Sequence, residues 1–353
     1  MGAKTMKKIY ISADIEGIWG NANPAYTMAG SELYEEYRLN MINEVNLVID
    51  LLFKYGAKEV VVNDGHGNMD NLLPSRIDKR VSFVSANGAY KEFGMMEGLD
   101  DSFDGVCLIG YHTRSNTPGI MAHTIWGSMI EHIEVDGKEL GETGINAILA
   151  HEYGVPIVLI SGDDKLHVQY EEDIGYKTNF VETKKAINSQ TALCCSWDTL
   201  VSQYEKAIQK GMNQESIKKE KTSHTMRIRF HYIRNADFVS RMEEVKKVDN
   251  CTVEITKESF KEPSLKKVLA TIVSRKGSAP RSVGTKMLIM EDGSITGTIG
   301  GGCVESEVMQ KALLMMRKGE PVFQLCKVDM TADDAEEEGM VCGGVVEVML
   351  EMI

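Results

Sequence analysis

The sequence predicts an α/β fold: a mostly parallel sheet flanked by helices with an α+β appendage, followed by a small C-terminal α+β domain. Three observations carry this. Short apolar runs rich in Val and Ile end in Gly or polar residues, as strands buried on both faces do. Amphipathic helical patterns lie between those runs, and strand–helix–strand alternation argues for a parallel sheet with helices on its faces. The pattern then restarts beyond Lys261-Glu262-Pro263. A chain of 353 residues exceeds one ordinary core, so a first domain over 1–262 and a second over 263–353 are expected.

In chain order, KKIYISAD (7–14) opens as a strand. A helix is expected from Ser31 to about Tyr55, because Leu39, Ile42, Val45, Val48, Ile49 and Leu52 recur at helical spacing. Gly56 follows as its stop. Strands follow at EVVVND (59–64), GVCLIGYH (105–112) and PIVLISGDD (156–164), with a helix from about Glu142 to Tyr153 closed by Gly154. The stretch 180–222 reads as helical. TMRIRFHYI (225–233) alternates like a strand with one exposed face, NADFVSRMEEVKKV reads as a helix and CTVEIT as a strand; together these form the appendage to the first sheet. Beyond 262 come strands VLATIVSRKG, TKMLIM and SITGTI, the last two joined by an Asp-Gly hairpin turn at 292–293, then a glycine cluster and a helix around Val304–Arg317.

Composition excludes several classes. Hydrophobic residues make 43% and charged residues 26% of the chain, ordinary for a globular protein. A net charge of −13 without a basic patch argues against a nucleic-acid partner. Seven cysteines, an odd number with no CxxC pair, argue against a disulfide framework or zinc knuckle. No run of about 18 apolar residues exists to span a membrane, and the N-terminus lacks a signal-peptide core. A cytoplasmic location is expected.

Chemistry-bearing residues fall at the ends of the predicted strands, where open parallel sheets gather ligands. Asp14 and Glu16 close the first strand as D-x-E, with both carboxylates on one side. His66 follows the second strand in NDGHGNMDN, and His112 ends the third. Glu142, in GETGIN, opens a helix that reaches the same edge. Mixed oxygen and nitrogen donors suit zinc or a neighbouring divalent metal, and five donors exceed the need of one tetrahedral ion. A shared carboxylate, best supplied by Asp14, would bridge two ions about 4 Å apart and let them acidify a water for attack on a carbonyl. His123, in GIMAHTIWG, is placed to act as base, nucleophile or oxyanion stabiliser rather than ligand. Each residue taken singly has a bland reading, as a turn, a cap or a solvated side chain; convergence on one edge is the signal. His132, His151, His167, His224 and His231 lack that placement and read as structural.

The ordered motifs SADIEGIWG, VNDGHGNMDNL, MMEGLDDSFDGVCLIGYHTRSNTPGIMAHT, GETGINA and LISGDD resemble the bacterial D-aminopeptidase family of dinuclear zinc peptidases over about residues 7–260. The resemblance implies Asp14, Glu16, His66, His112 and Glu142 as ligands of two zinc ions per subunit, and His123 as the catalytic histidine. It further implies removal of N-terminal D-amino acids, notably D-Ala, from short peptides and amides, by a ring-shaped homo-oligomer.

GSAPRSVGTKMLIMEDGSITGTIGGGCVES and EEEGMVCGGVVEVMLE are similar to the N-terminal domain of the XdhC/CoxI family, which handles molybdenum cofactor for xanthine dehydrogenase-type enzymes. The similarity spans about 264–353 and does not include that family's second, dinucleotide-type domain. It implies a molybdenum-cofactor site and a molybdenum hydroxylase partner. Gly300, Gly301 and Gly302 precede a helix whose free amides can bind an anion, and Cys303 and Cys342 adjoin glycines and can contact a metal or sulfur centre. On the residues alone, a tight turn with two small buried cysteines is the stronger reading.

Three functions compete on these grounds: a zinc aminopeptidase for D-residues, a metal-dependent amidohydrolase acting on a non-peptide amide, and a molybdenum-cofactor carrier or docking protein built on an oligomeric hydrolase-like scaffold.

Overall fold

The computed structural model describes residues 6–86, 91–214, 217, 223–242, 244–260, 267–277, 281–290, 295–300, 302–318, 323–329 and 344–352. The chain divides into two compact units, Met1–Glu262 and Pro263–Ile353.

The first unit runs β1 (Lys8–Ala13), α1 (Tyr34–Lys54), β2 (Glu59–Asp64), β3 (Ser82–Val84), β4 (Gly105–Ile109), β5 (Ile130–Val135), β6 (Lys138–Leu140), α2 (Glu142–Tyr153), β7 (Ile157–Asp163), α3 (Asp164–Ile174), β8 (Asn179–Asn188), β9 (Thr191–Cys194), α4 (Trp197–Gly211), β10 (His224–Phe230), α5 (Ile233–Val239), β11 (Lys246–Lys247) and β12 (Thr252–Lys257). Seven strands form one sheet in the order β3-β2-β1-β4-β7-β8-β9. All its pairings are parallel except β8–β9. The central strands β1, β4 and β7 are buried almost throughout. On one face α1 packs Met41, Ile42, Val45, Val48, Ile49 and Leu52 with Leu200, Tyr204 and Ile208 of α4. On the other, Ala147, Leu149 and Ala150 of α2 join Leu166 and Tyr170 of α3. This is the expected mostly parallel, helix-flanked sheet.

Two expectations change. The stretch read as helical over 180–222 begins instead with the β8–β9 hairpin, and only Trp197–Gly211 is helix, capped by Ser196 accepting from Thr199 N. Asn179, Val181 and Thr183 are buried at every second position, the strand period. Pairing with β7 overrides the helical tolerance of Lys184, Lys185 and Ala186. Cys194 therefore lies in a strand rather than a helix. The strands β10 and β12 belong to the expected α+β appendage. They form a separate antiparallel sheet, β11-β12-β10-β5-β6, with the two strands between His123 and Glu142. Ile133, Val135 and Leu140 of β5 and β6 bury against Ile145 and Ile148 of α2 and Met226 and Ile228 of β10. The expected helix over 235–248 shortens to α5.

The second unit runs β13 (Lys267–Gly277), β14 (Lys286–Met290), β15 (Ile295–Gly297), α6 (Gly302–Lys318), β16 (Phe323–Asp329) and β17 (Gly344–Met352), with an antiparallel sheet in the order β15-β14-β13-β17-β16. Val304, Val308, Ala312, Met315 and Met316 of α6 pack on Val268, Ala270, Ile272, Val348 and Leu350. The Asp-Gly turn at 292–293, Gly301 and Cys342 lie outside the described residues, as does the side chain of Cys303.

Candidate metal centre

The centre is assembled where β1, β2 and β4 end. Asp14 follows β1 directly, and its N–H donates to Ile109 O of β4 at 2.8 Å. The chain then turns under Gly110, and Gly17 N donates to Gly110 O at 2.7 Å. A Cβ on Gly17 would lie 2.0 Å from Tyr111 O, and Gly110 adopts φ +74° with its own Cβ position 2.3 Å from Asp14 O. Only glycine permits this approach, which sets the Asp14–Glu16 loop against the segment ending at His112.

His66 sits in a loop organised by Asp64, a buried carboxylate that accepts from His66 N (3.2 Å), Asn71 Nδ2 (3.0 Å) and Leu72 N (2.7 Å). Lys91 Nζ, also buried, donates to Asn63 Oδ1 and Asp64 O at 2.8 and 2.9 Å. At the end of β7, Asp163 caps α3 and also accepts from Ile120 N at 2.6 Å. That bond ties the 114–123 loop, and with it His123, to the sheet edge. Glu142 opens α2, and its Oε1 accepts from Ile125 N at 2.7 Å.

The donor atoms meet. His66 Nδ1 lies 3.3 Å from Asp14 Oδ1 and 3.1 Å from Glu16 Oε2. His112 Nε2 lies 3.4 Å from Asp14 Oδ2 and 3.4 Å from Glu142 Oε2. Two triads result, Asp14–Glu16–His66 and His112–His123–Glu142, each with donor atoms within 4.8 Å of one another. Asp14 faces both triads, one oxygen to each. The rings of His112 and His123 stack 4.1 Å apart at 8°. His123, expected from the sequence to be catalytic rather than a ligand, has a donor nitrogen within 4.8 Å of those of His112 and Glu142.

Backbone carbonyls fix the tautomers, since a carbonyl only accepts. His66 Nε2 donates to Thr27 O at 3.0 Å, His112 Nδ1 to Thr113 O at 2.9 Å, and His123 Nδ1 to Met121 O at 2.8 Å. The opposite nitrogen of each ring faces the cluster. Carbonyl-oriented imidazoles are a recurrent accompaniment of metal ligation.

The electrostatics are those of an anionic pocket. Burial and then the neighbouring Glu16 push Asp14 up to about 8. Burial pulls His112 down, but Glu142 and Asp14 outweigh it and raise the imidazole to about 10. His66 is likewise raised well above its usual value, burial being overcome by Glu16 and Asp14. Glu16 is held well below the carboxylate range, because His66 and His112 outweigh the burial that would raise it. Three buried carboxylates at this spacing need positive charge. Asp14 Oδ2, Glu16 Oε2 and His112 Nε2 are buried and make no well-formed hydrogen bond, only the His–carboxylate approaches of 3.1 to 3.4 Å. These atoms point inward, and their mixed O/N set is one that divalent zinc accepts. The residues fit a metal.

Sequence reasoning missed the supports. Asp64 lay in a quoted motif, at the strand end two residues before His66. Lys184 carried no signal: it is fully buried, and its Nζ donates to Glu16 O (2.5 Å), Ile18 O (2.7 Å) and Asn21 O, contacts more than 160 residues apart in sequence. His132, His151, His167, His224 and His231 stay outside both triads; His167, for example, stacks on Phe180 at 4.4 Å.

In the second unit, Gly300 adopts φ 144° and its N–H lies 3.3 Å from Glu305 Oε1, which also accepts from Ile299 N at 3.0 Å. The amide expected to await an anion is therefore already turned to a carboxylate of α6.

Comparison with known proteins follows this division. A family profile described as D-aminopeptidase matches residues 6–265, and one described as XdhC and CoxI family matches 264–328. A D-aminopeptidase of Bacillus subtilis (strain 168) is 38% identical over 190 residues, 54% of this chain and 68% of that protein. The solved structure of a Zn-dependent D-aminopeptidase, DppA from Bacillus subtilis, described as a self-compartmentalizing protease, superposes with a TM-score of 0.67 at 29% identity. It covers 71% of this chain and 92% of that one. The molybdenum cofactor insertion chaperone PaoD of Escherichia coli (strain K12) is 44% identical over 52 residues, 15% of this chain but only 16% of the chaperone. Among the described residues no helix is long and apolar enough to cross a membrane.

Proposed function

We infer what this enzyme does from one premise: the chain belongs to the D-aminopeptidase family and is a hydrolase of the metallo-aminopeptidase class. We propose that it removes N-terminal D-amino acids, of the D-Ala type, from short peptides and amides in the cytoplasm. Two zinc ions would be held by Asp14, Glu16, His66, His112 and Glu142, with Asp14 shared between them. The observation that carries this is the placement of the two Asp14 oxygens, one toward His66 and one toward His112.

Zinc bound there would polarise the scissile carbonyl and acidify water. The chain's own residues supply the rest. His123, its Nδ1 committed to Met121 O, offers Nε2 to take a proton or attack the carbonyl carbon. Glu142 is held at one oxygen by Ile125 N and leaves the other for the cluster. The ring-shaped homo-oligomer proposed from the sequence agrees with the self-compartmentalizing description of the related protease.

The test is metal analysis of the purified protein beside a panel of D- and L-aminoacyl p-nitroanilides and dipeptides. Two zinc ions per chain with D-selective release are expected. Turnover confined to cyclic or non-peptide amides would favour the amidohydrolase reading instead.

For the second unit we propose molybdenum-cofactor binding and a molybdenum hydroxylase partner, supported by the short match to the insertion chaperone. Fluorescence of oxidised pterin released from the purified protein tests it; its absence from protein isolated from molybdate-fed cells counts against it.

A further inference from the structure

The metal centre opens onto a cleft of about 940 Å³. Among its described lining residues Lys165 is the only Lys or Arg, and the carboxylates are Glu16 and Asp70. Their order follows the sheet. Asp70 lies beyond β2, Glu16 beyond β1, and Lys165 in the first turn of α3 beyond β7, while the strands run β2-β1-β4-β7. In that order the candidate metal ligands of β1 and β4 fall between Asp70 on one side and the Lys165 ammonium, paired with Asp164, on the other. This polarity matches a peptide zwitterion laid along the strand ends.

Lys165 is anchored at its base and open at its tip. Its backbone N–H donates to Asp163 Oδ1 at 2.9 Å. Its Nζ donates to Asp164 Oδ2 at 2.9 Å, and the side chain retains 41% exposure. Asp164 is itself fixed, its Oδ1 accepting from Ala186 N at 2.7 Å, and Ala186 lines the same cleft. An ammonium has three donors, so two remain beyond the bond to Asp164.

We propose that Lys165 receives the free C-terminal carboxylate of the substrate, giving the enzyme a preference for di- and tripeptide free acids over their amides. This rests on the aminopeptidase reading above. One strand spacing, about 4.8 Å, separates β4 from β7. An extended residue spans about 3.4 Å, so a leaving group of one or two residues has the length to run from β4 toward β7, on whose side of the cleft Lys165 lies.

The experiment compares D-Ala-D-Ala with its C-terminal amide, using the full-length, zinc-loaded protein and the variants Lys165→Met and Lys165→Arg. The wild type is expected to show a KM about tenfold lower for the acid, the worth of one charge-assisted bond. Lys165→Met should bring the acid to the KM of the amide, and Lys165→Arg should keep the preference. Equal KM values in the wild type, or a preference that survives in Lys165→Met, overturn the proposal. If the wild type hydrolyses no D-aminoacyl compound, the aminopeptidase reading fails separately. Calorimetric titration with acid and amide then still decides on Lys165: a tenfold preference erased in Lys165→Met upholds it, and equal binding ends it.

Discussion

Asp14 and His112 meet across the β1–β4 seam with Oδ2 and Nε2 3.4 Å apart, and neither atom makes a well-formed hydrogen bond. The other oxygen of the same carboxylate, Oδ1, faces His66 Nδ1 at 3.3 Å. One side chain thus joins two donor triads. Asp14→Ala is expected to lose bound zinc and turnover together. The loss should be about 10³-fold or more, since metal polarisation supplies several kcal/mol. Elemental analysis and D-Ala-D-Ala hydrolysis on the same preparation check it. A metal-replete Asp14→Ala protein of normal activity would remove the centre from the mechanism.

Lys184 holds the loop that presents Glu16. Replacing it with Met leaves the carbonyls of Glu16, Ile18 and Asn21 without their buried donor. The expected cost is about 3 kcal/mol of stability, and a 10–100-fold weaker zinc affinity of order typical for lost ligand support. Chemical denaturation and competition with a zinc chelator measure the two. A variant destabilised but unchanged in zinc affinity would make Lys184 a structural residue only.

Ile125 adopts φ 60°, which a β-branched residue seldom does, and it is 57% exposed. Its N–H must point at Glu142 Oε1, and the strain is the consequence. Ile125→Gly keeps that N–H and relieves the backbone. After the entropic penalty of glycine, a gain of about 1 kcal/mol is expected, or a melting temperature about 3 °C higher. An unchanged or lower melting temperature would show that the left-handed turn is not strained.

Much of this architecture could be read from the chain because parallel strands buried on both faces leave nearly continuous apolar runs. KIYISA, VVVND and IVLISGD needed no partner to be recognised. The donors at their ends followed from the geometry of open sheets. What the chain concealed depends on distant pairing. VETKKAIN became strand because β7 was available beside it, and its buried lysine is intelligible only when the loop after Glu16 is in place. His123 joined the donor cluster through Asp163 and Ile120, a bond spanning 43 residues. The order in which β5 and β6 join β10 was equally hidden, since short alternating strands do not name their neighbours.

Glu44 lies on α1, fully buried, accepting from Trp19 N at 2.8 Å and from the Tyr204 hydroxyl. Burial outweighs those two bonds and raises its carboxyl from 4.5 to about 7. The folded protein therefore keeps a proton that the unfolded chain has already released between pH 4.5 and 7. The stability this group contributes is full below the unfolded value and is lost as pH rises through about 7. The shift amounts to about 3 kcal/mol. Glu44→Gln mimics the protonated form at every pH, with its amide free to donate to Tyr204 and its carbonyl to accept from Trp19. Urea unfolding of zinc-loaded protein is expected to show the wild type losing about 3 kcal/mol more than the variant between pH 4.5 and 8. Groups not coupled to Glu44 cancel in that difference, the acidic metal cluster included; Lys184, which burial pulls down to about 8 and Glu44 helps hold up, titrates at the upper end of the range. Parallel stability curves would mean that Glu44 is ionised inside the fold throughout, with Lys184 as its compensating charge.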